Sequence, residues 1–343
     1  MIEMVAAPDR RRDLVQALLA PLLGVALLAT FLLAAGFHVV PAMGALWQGS
    51  FGSWYAFTSG ALVHATPLIV LGLAFTVGSK AGAINVGMEG QFAAGAILAT
   101  WIGVHAGGLP GFVALSLVLA AGLVGGALWM VVPVILRQRF GITEVISTLL
   151  LNFVAAAAVS YVVTGPLQES SRSYPASDPV ATAARLPLLW PATRLHLGFV
   201  VAIGLGGLLA VGLQRTRWGF ALRAAGAGPA VASLMGRIPR ARIIATTLLL
   251  SGALAGLGGA IEVSGVSYAL YQNLSPGYGF TAIAVALLGR LRPVPVLAAG
   301  ILFGALEAGA GAMQRDAGIP AVAVQVVEAV VIIAALLAAR RAK

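Results

Sequence analysis

The sequence predicts an all-α, polytopic integral membrane protein of about eight to ten transmembrane helices, some of them broken or re-entrant. Three observations predict it. Of 343 residues, 60% are hydrophobic and 9% charged, against about 25% charged in a soluble domain, so the chain cannot assemble a water-facing surface for a globule of this size. Apolar segments recur at the roughly 20-residue length that a bilayer demands. Finally, 17 of the 21 basic residues fall in alternate connections, the asymmetry that distinguishes cytoplasmic from external loops.

The apolar segments lie near 14–40, 61–79, 85–106, 111–136, 142–164, 197–214, 243–263, 279–289, 293–312 and 321–339. They form one membrane domain, 14–339, between a basic tail of 1–13 and a short tail of 340–343. The first run, Leu14 to Gly36, exceeds the about 7 to 15 apolar residues of a signal peptide and is read as a retained span. The connection from Pro41 to Gly60 carries Trp47, Trp54 and Tyr55, an interfacial aromatic pattern. With both termini cytoplasmic, only Arg172, Arg185, Arg194 and Arg315 are left outside. The longest external loop, 165–196, holds Pro166, Pro175, Pro179, Pro187 and Pro191, which disfavour long helix and suit an ordered cap or docking surface. Gly122 with Gly126, Gly252 with Gly256 and Gly300 with Gly304 have the spacing that lets helix backbones close on one another in lipid.

The inventory excludes several kinds of chemistry. There is no cysteine, hence no disulfide, thiolate metal site or cysteine nucleophile. His38, His64, His105 and His196 are scattered. The two lysines, Lys80 and Lys343, sit in no G-x-x-x-x-G-K-S/T loop, so the chain does not hydrolyse ATP by that route. No paired acids or nucleophile–base set argue for an enzyme, and no cofactor or metal site is expected. The net charge of +10 follows from basic cytoplasmic loops lying on lipid headgroups, and nucleic acid is not an expected partner.

An acid inside a span costs at least about 2.5 to 3.5 kcal/mol, which makes it a functional candidate by default. Glu89 lies in I-N-V-G-M-E-G-Q (84–91), where two glycines, Asn85, Glu89 and Gln91 make a poor continuous helix and a good broken one. Two roles fit it: lining a pathway or hinge, or a hydrogen-bond knot that caps two half-helices. Glu144, after the basic Arg137–Arg139 turn, suits a cap or a local ion pair. Glu262, Glu307 and Glu328 are expected to pair with arginines. Pro276, Gly277 and Gly279 precede the shortest apolar stretch, Ala282 to Gly289, and so predict a half-helix. There Tyr278 and Phe280 are either stacking surfaces for a flat ligand or packing anchors.

Between the sixth and seventh segments, 215–242 carries six arginines and no acid, with a short helix expected from Pro229 to Gly236. It either lies on headgroups or docks on a partner. The stretches I-N-V-G-M-E-G-Q (84–91), T-E-V-I-S-T (143–148), R-A-A-G (223–226), L-S-G-A-L-A-G-L-G-G-A-I-E-V (250–263) and S-P-G-Y-G-F-T-A-I-A-V-A-L-L-G-R (275–290) together resemble the permease subunits of ABC importers of the branched-chain amino acid and ribose superfamily. More narrowly, they resemble the nucleoside permeases. The resemblance spans about residues 60–335. It implies a bacterial inner-membrane heteromer: two homologous permease chains, an ATPase subunit that binds the ATP and Mg, and an external substrate-binding lipoprotein. It also implies that Arg223, Ala224, Gly226, Gly236 and Arg240 contact the ATPase, and that Asn85, Glu89 and Gln91 lie near the permeation path. Thr143 and Thr281 stand where relatives usually have Asn and Asp, so no cargo contact carries over there. The cargo expected is a nucleoside. Ribose, another sugar or a branched-chain amino acid would suit the same machine, and an ion-coupled transporter using Glu89 is the alternative from another class.

Overall fold

The computed structural model describes residues 29–228 and 239–320, together with positions 26, 326, 329 and 333. The expected segment at 321–339, the helix expected from Pro229 to Gly236, Glu328 and both charged tails lie outside the described residues. Among the described residues every regular element is helical, with two isolated bridges, Ala176 with Tyr271 and Leu188 with His196. Among the described residues, six helices are long and apolar enough to cross a membrane.

The chain folds as two compact units. In the first, residues 29–57 and 305–320, helix α1 (Val39–Ser50) occupies part of the connection read above as an aromatic loop. Pro41 does not end a helix there, because it sits in the first turn, where its missing N–H leaves nothing unsatisfied. Leu32, Ala42, Ala45, Ala310, Met313 and Ile319 form this unit's core.

The second unit, Thr58–Gly304, holds most of α2 (Ala56–Lys80), then α3 (Met88–His105), α4 (Gly111–Phe140), α5 (Glu144–Thr164), α6 (Leu197–Arg215), α7 (Arg217–Gly226), α8 (Arg240–Ser267), α9 (Tyr278–Leu288) and the first half of α10 (Pro293–Asp316). Helix α2 is apolar all round and 89% buried, whereas α5 and α6 are 28% buried, so α2 is the core and α5 and α6 present apolar faces outward. Lipid supplies no hydrophobic drive between helices, and close packing takes its place. At the joint of α4 and α8, a Cβ on Gly256 would stand 2.7 Å from the Gly126 nitrogen and 2.8 Å from its Cα, so the pairs Gly122/Gly126 and Gly252/Gly256 meet each other, while Gly300 and Gly304 pack on Ile69 and Ala65 of α2.

Contacts collect the basic helix ends at one end of this unit. Gly226 packs on the Lys80 carbonyl, Gln138 donates to the Ala241 carbonyl (3.3 Å), and Arg223 and Arg292 both act on Lys80. At the other end the proline-rich loop 165–196 is irregular apart from one turn at Thr182–Ala184. It is bonded down by Ala181 N–H to Gly103 O (2.9 Å) and Leu186 N–H to Ser264 O (2.8 Å). Helix α7 was not anticipated from the sequence. Its start is marked by Thr216, whose hydroxyl accepts the Gly219 N–H (3.1 Å), an N-cap arrangement.

Candidate permeation site

Two helices begin in the interior. Residues 83–87 form no regular structure before α3 starts at Met88, and α9 has 11 residues. At about 1.5 Å per residue α9 starts roughly 16 Å from the basic end, near the middle of a hydrocarbon core about 30 Å thick. A helix that starts there exposes N–H groups with no water to bind them, and side chains supply partners for several of them. Ser275 Oγ accepts from Gly277 N–H (3.1 Å) and Tyr278 N–H (3.0 Å). Glu89 accepts the Gly279 N–H through Oε2 (2.7 Å). Asn152 Oδ1, on α5, accepts the Gly90 N–H of α3 (2.8 Å), and its Nδ2 donates to Val86 O (3.0 Å).

One carboxylate therefore stands where the positive ends of two helix dipoles converge. The approach needs glycine twice. Gly277 has φ 105°, and a Cβ on Gly279 would lie 2.8 Å from the Glu89 Cα. Glu89, half-buried, also lines a cavity of about 120 Å³ with Asn152, Gln272, Asn273 and Ser275 as its other polar walls.

Asn85 and Gln91 are placed differently. Both are buried, and their carboxamides pair reciprocally, Asn85 Nδ2 to Gln91 Oε1 (2.8 Å) and Gln91 Nε2 to Asn85 Oδ1 (3.0 Å). Asn85 also donates to Ser251 Oγ (2.9 Å) and accepts the Gly87 N–H (3.0 Å). This pair ties the irregular segment 83–87 to α3 and α8, and neither residue lines the cavity. Tyr278 is buried edge-on against Phe92, ring centroids 6.2 Å apart, and Phe92 is a cavity wall; Phe280 is exposed. Sequence reasoning missed Asn152, Gln272 and Asn273. Asn152 did carry a signal, being a carboxamide in an otherwise apolar span.

At the basic end Arg223, Ala224 and Gly226 lie on α7, with Arg223 exposed and Ala224 buried. Arg240 Nε donates to the Ala225 carbonyl (3.1 Å), a cation on the C-terminal end of that helix. Gly236 lies outside the described residues. Glu144 forms the expected local ion pair, with Arg137, and accepts the Ile84 N–H (3.1 Å). Glu262 is buried with Arg194 as the charge acting on it. His196 caps α6 by accepting the Gly198 N–H (3.2 Å). Burial, and secondarily the Arg194 charge, lowers its pKa to about 4.

These features, a membrane-depth break at 83–91, a half-helix at 278 and a basic edge beyond α6, coincide with a known family pattern. The description "branched-chain amino acid transport system / permease component" matches residues 57–336. The chain belongs to this family. The guanosine ABC transporter permease protein of Bacillus subtilis is 35% identical over 94% of this chain and 93% of its own length. The nucleoside ABC transporter permease protein of Lactococcus lactis subsp. cremoris is 31% identical over 94% and 91%. The glucose ABC transporter permease protein of Haloferax volcanii is 36% identical over 86% and 79%. The family permease is thus a multi-pass membrane protein and a transport component, as its sequence motifs implied.

Proposed function

We propose that this chain is the membrane-spanning subunit of an ABC importer whose cargo is a nucleoside. The observation that carries the reading is the end-to-end similarity, over 94% of this chain, to the guanosine permease. Cargo delivered by an external binding lipoprotein on loop 165–196 enters between this chain and a second, homologous permease, and the Glu89 site lies beside its path. A partner ATPase binds ATP and Mg and drives the cycle through the edge built from Arg223, Ala224, Gly226 and Arg240, with Gly236 in the same loop. The charge asymmetry of the loops supports both termini in the cytoplasm, and the Bacillus subtilis and Lactococcus lactis relatives support a place in the bacterial cell (inner) membrane. The glucose permease relative favours a second cargo, a sugar, in the same machine.

The test is uptake of labelled nucleosides and glucose in cells lacking the chain and in cells with it restored, with the partner's Walker lysine intact or replaced. Nucleoside uptake that needs both the chain and the lysine supports the reading. Glucose uptake alone transfers the cargo to sugars, and uptake that survives loss of the lysine but collapses with the ion gradient overturns the ATP-driven mechanism.

A further inference from the structure

We propose that the cavity beside Glu89 is a subsite for the vicinal hydroxyls of the cargo, so that the permease itself selects polyols over their deoxy counterparts. The inference rests on the importer reading above and assigns that site a ligand chemistry. Its walls carry one carboxylate, three carboxamides (Asn152, Gln272 and Asn273) and the Ser275 hydroxyl, with no basic residue among them. An anionic cargo group would meet an acid with no cation to balance it. A cationic group is not demanded, because the Glu89 charge already faces two helix N-termini.

A neutral group with several hydroxyls fits what is left. A carboxylate offers about four acceptor sites, and Glu89 spends one on the Gly279 N–H, so two adjacent O–H donors can be taken together as strong charge-assisted bonds. The donors that would meet the hydroxyl lone pairs are on the same wall: Asn152 Nδ2 spends one hydrogen on Val86 O and Gln272 Nε2 one on Ser160 Oγ (2.7 Å), and each amide nitrogen has a second. Size points the same way. About 120 Å³ is on the order of four water volumes, which suits the hydroxyl-bearing edge of a sugar ring better than a sugar with a base attached. The one aromatic wall, Phe92, is 1% exposed, so it offers a base little face to stack on. A site built to bond a hydroxyl rejects the analogue lacking it, because its groups shielded from water, here half-buried Glu89 and buried Asn152, are then left unpaired.

The experiment uses the complete importer in cells and measures initial uptake of a ribonucleoside against its 2′-deoxy form, and of glucose against 2-deoxyglucose. Wild type is compared with Glu89→Gln, Gln272→Ala and Asn273→Ala. The binding protein is the same in every strain, so its own preference cancels when the hydroxy-to-deoxy ratios are compared. The expected result is a ratio that falls about tenfold in Glu89→Gln and about threefold in the other two. Gln272 and Asn273 are exposed, so these two variants decide the matter if Glu89→Gln does not reach the membrane. Variants that slow both members of a pair equally overturn the proposal. If wild type carries glucose and no nucleoside, the cargo reading fails while the glucose pair still decides the subsite, and transport of neither pair overturns both.

Discussion

Replacing Asn85 with leucine separates a structural knot from a cargo contact. The variant removes four hydrogen bonds at a fully buried position. It strands the Gly87 N–H, one Gln91 Nε2 hydrogen and Gln91 Oε1, while Ser251 Oγ keeps its bond to Ala74 O (2.8 Å). Each stranded group costs about 1–3 kcal/mol in a dry interior, so the single variant loses on the order of 5 kcal/mol. Adding Gln91→Met removes two of the three stranded groups and leaves only the Gly87 N–H, so the double variant is more stable than Asn85→Leu alone. Polar pairs in membranes couple more weakly than these sums, about 0.6 kcal/mol on average and about 1.7 at most. The complete enclosure of this pair places the expected coupling near that maximum, about 1.5 kcal/mol. The assay is the fraction of purified transporter that stays monodisperse after heating, for wild type, both single variants and the double, together with uptake in cells. A knot predicts that the double variant regains both stability and uptake relative to Asn85→Leu. Independent, additive losses of stability, or a stable double variant without uptake, would refute the reasoning and return Asn85 to the permeation path.

Gly256→Ala drives a methyl into the α4 backbone and should cost about 3 kcal/mol or more, seen as loss of folded transporter in detergent, whereas Gly204→Ala, which meets nothing within 4 Å, should behave as wild type. Arg137→Ala leaves the buried Glu144 carboxylate without its partner; about 2 kcal/mol of stability should vanish in the same heating assay, and Arg137→Met with Glu144→Gln should recover most of it. His196 has a folded-state pKa of about 4 against 6.5, so the unfolded chain takes up the proton first and stability falls as pH drops from about 6.5 toward 4, by up to about 3 kcal/mol. His196→Gln should flatten thermal stability between pH 7.5 and 5; an unchanged slope would dissociate it from this residue. The exposed loop carboxyls do not share that window, since Glu169, held by the Ser171 hydroxyl, and Asp178, held by the Ser170 N–H, lie below their ordinary values.

What the sequence determined by itself was the class of element and the places where elements break. Apolar runs of bilayer length can only be helices, because lipid satisfies no backbone group. The Asn–Gly–Glu–Gly–Gln cluster and the Ser–Pro–Gly–Tyr–Gly stretch announced two interrupted helices for the same reason. Thr216 and the first-turn Pro41 carried cap signals that a reading by hydropathy alone passed over, which is why α7 and α1 were found only in the structure. Tertiary structure decided the partners. Periodicity cannot say that Glu89, 190 residues before Gly279, caps that residue's helix, nor that Asn152 from a third helix closes the same corner. Asn85 and Gln91 lie six residues apart and looked like companions of Glu89 on one path. Only the chain's entry into α3 from the irregular segment 83–87, where Asn85 accepts the Gly87 N–H, folds their amides onto each other and leaves the carboxylate facing the cavity. Local sequence fixes where backbone groups need partners, and the long-range path of the chain selects which side chain arrives to meet them.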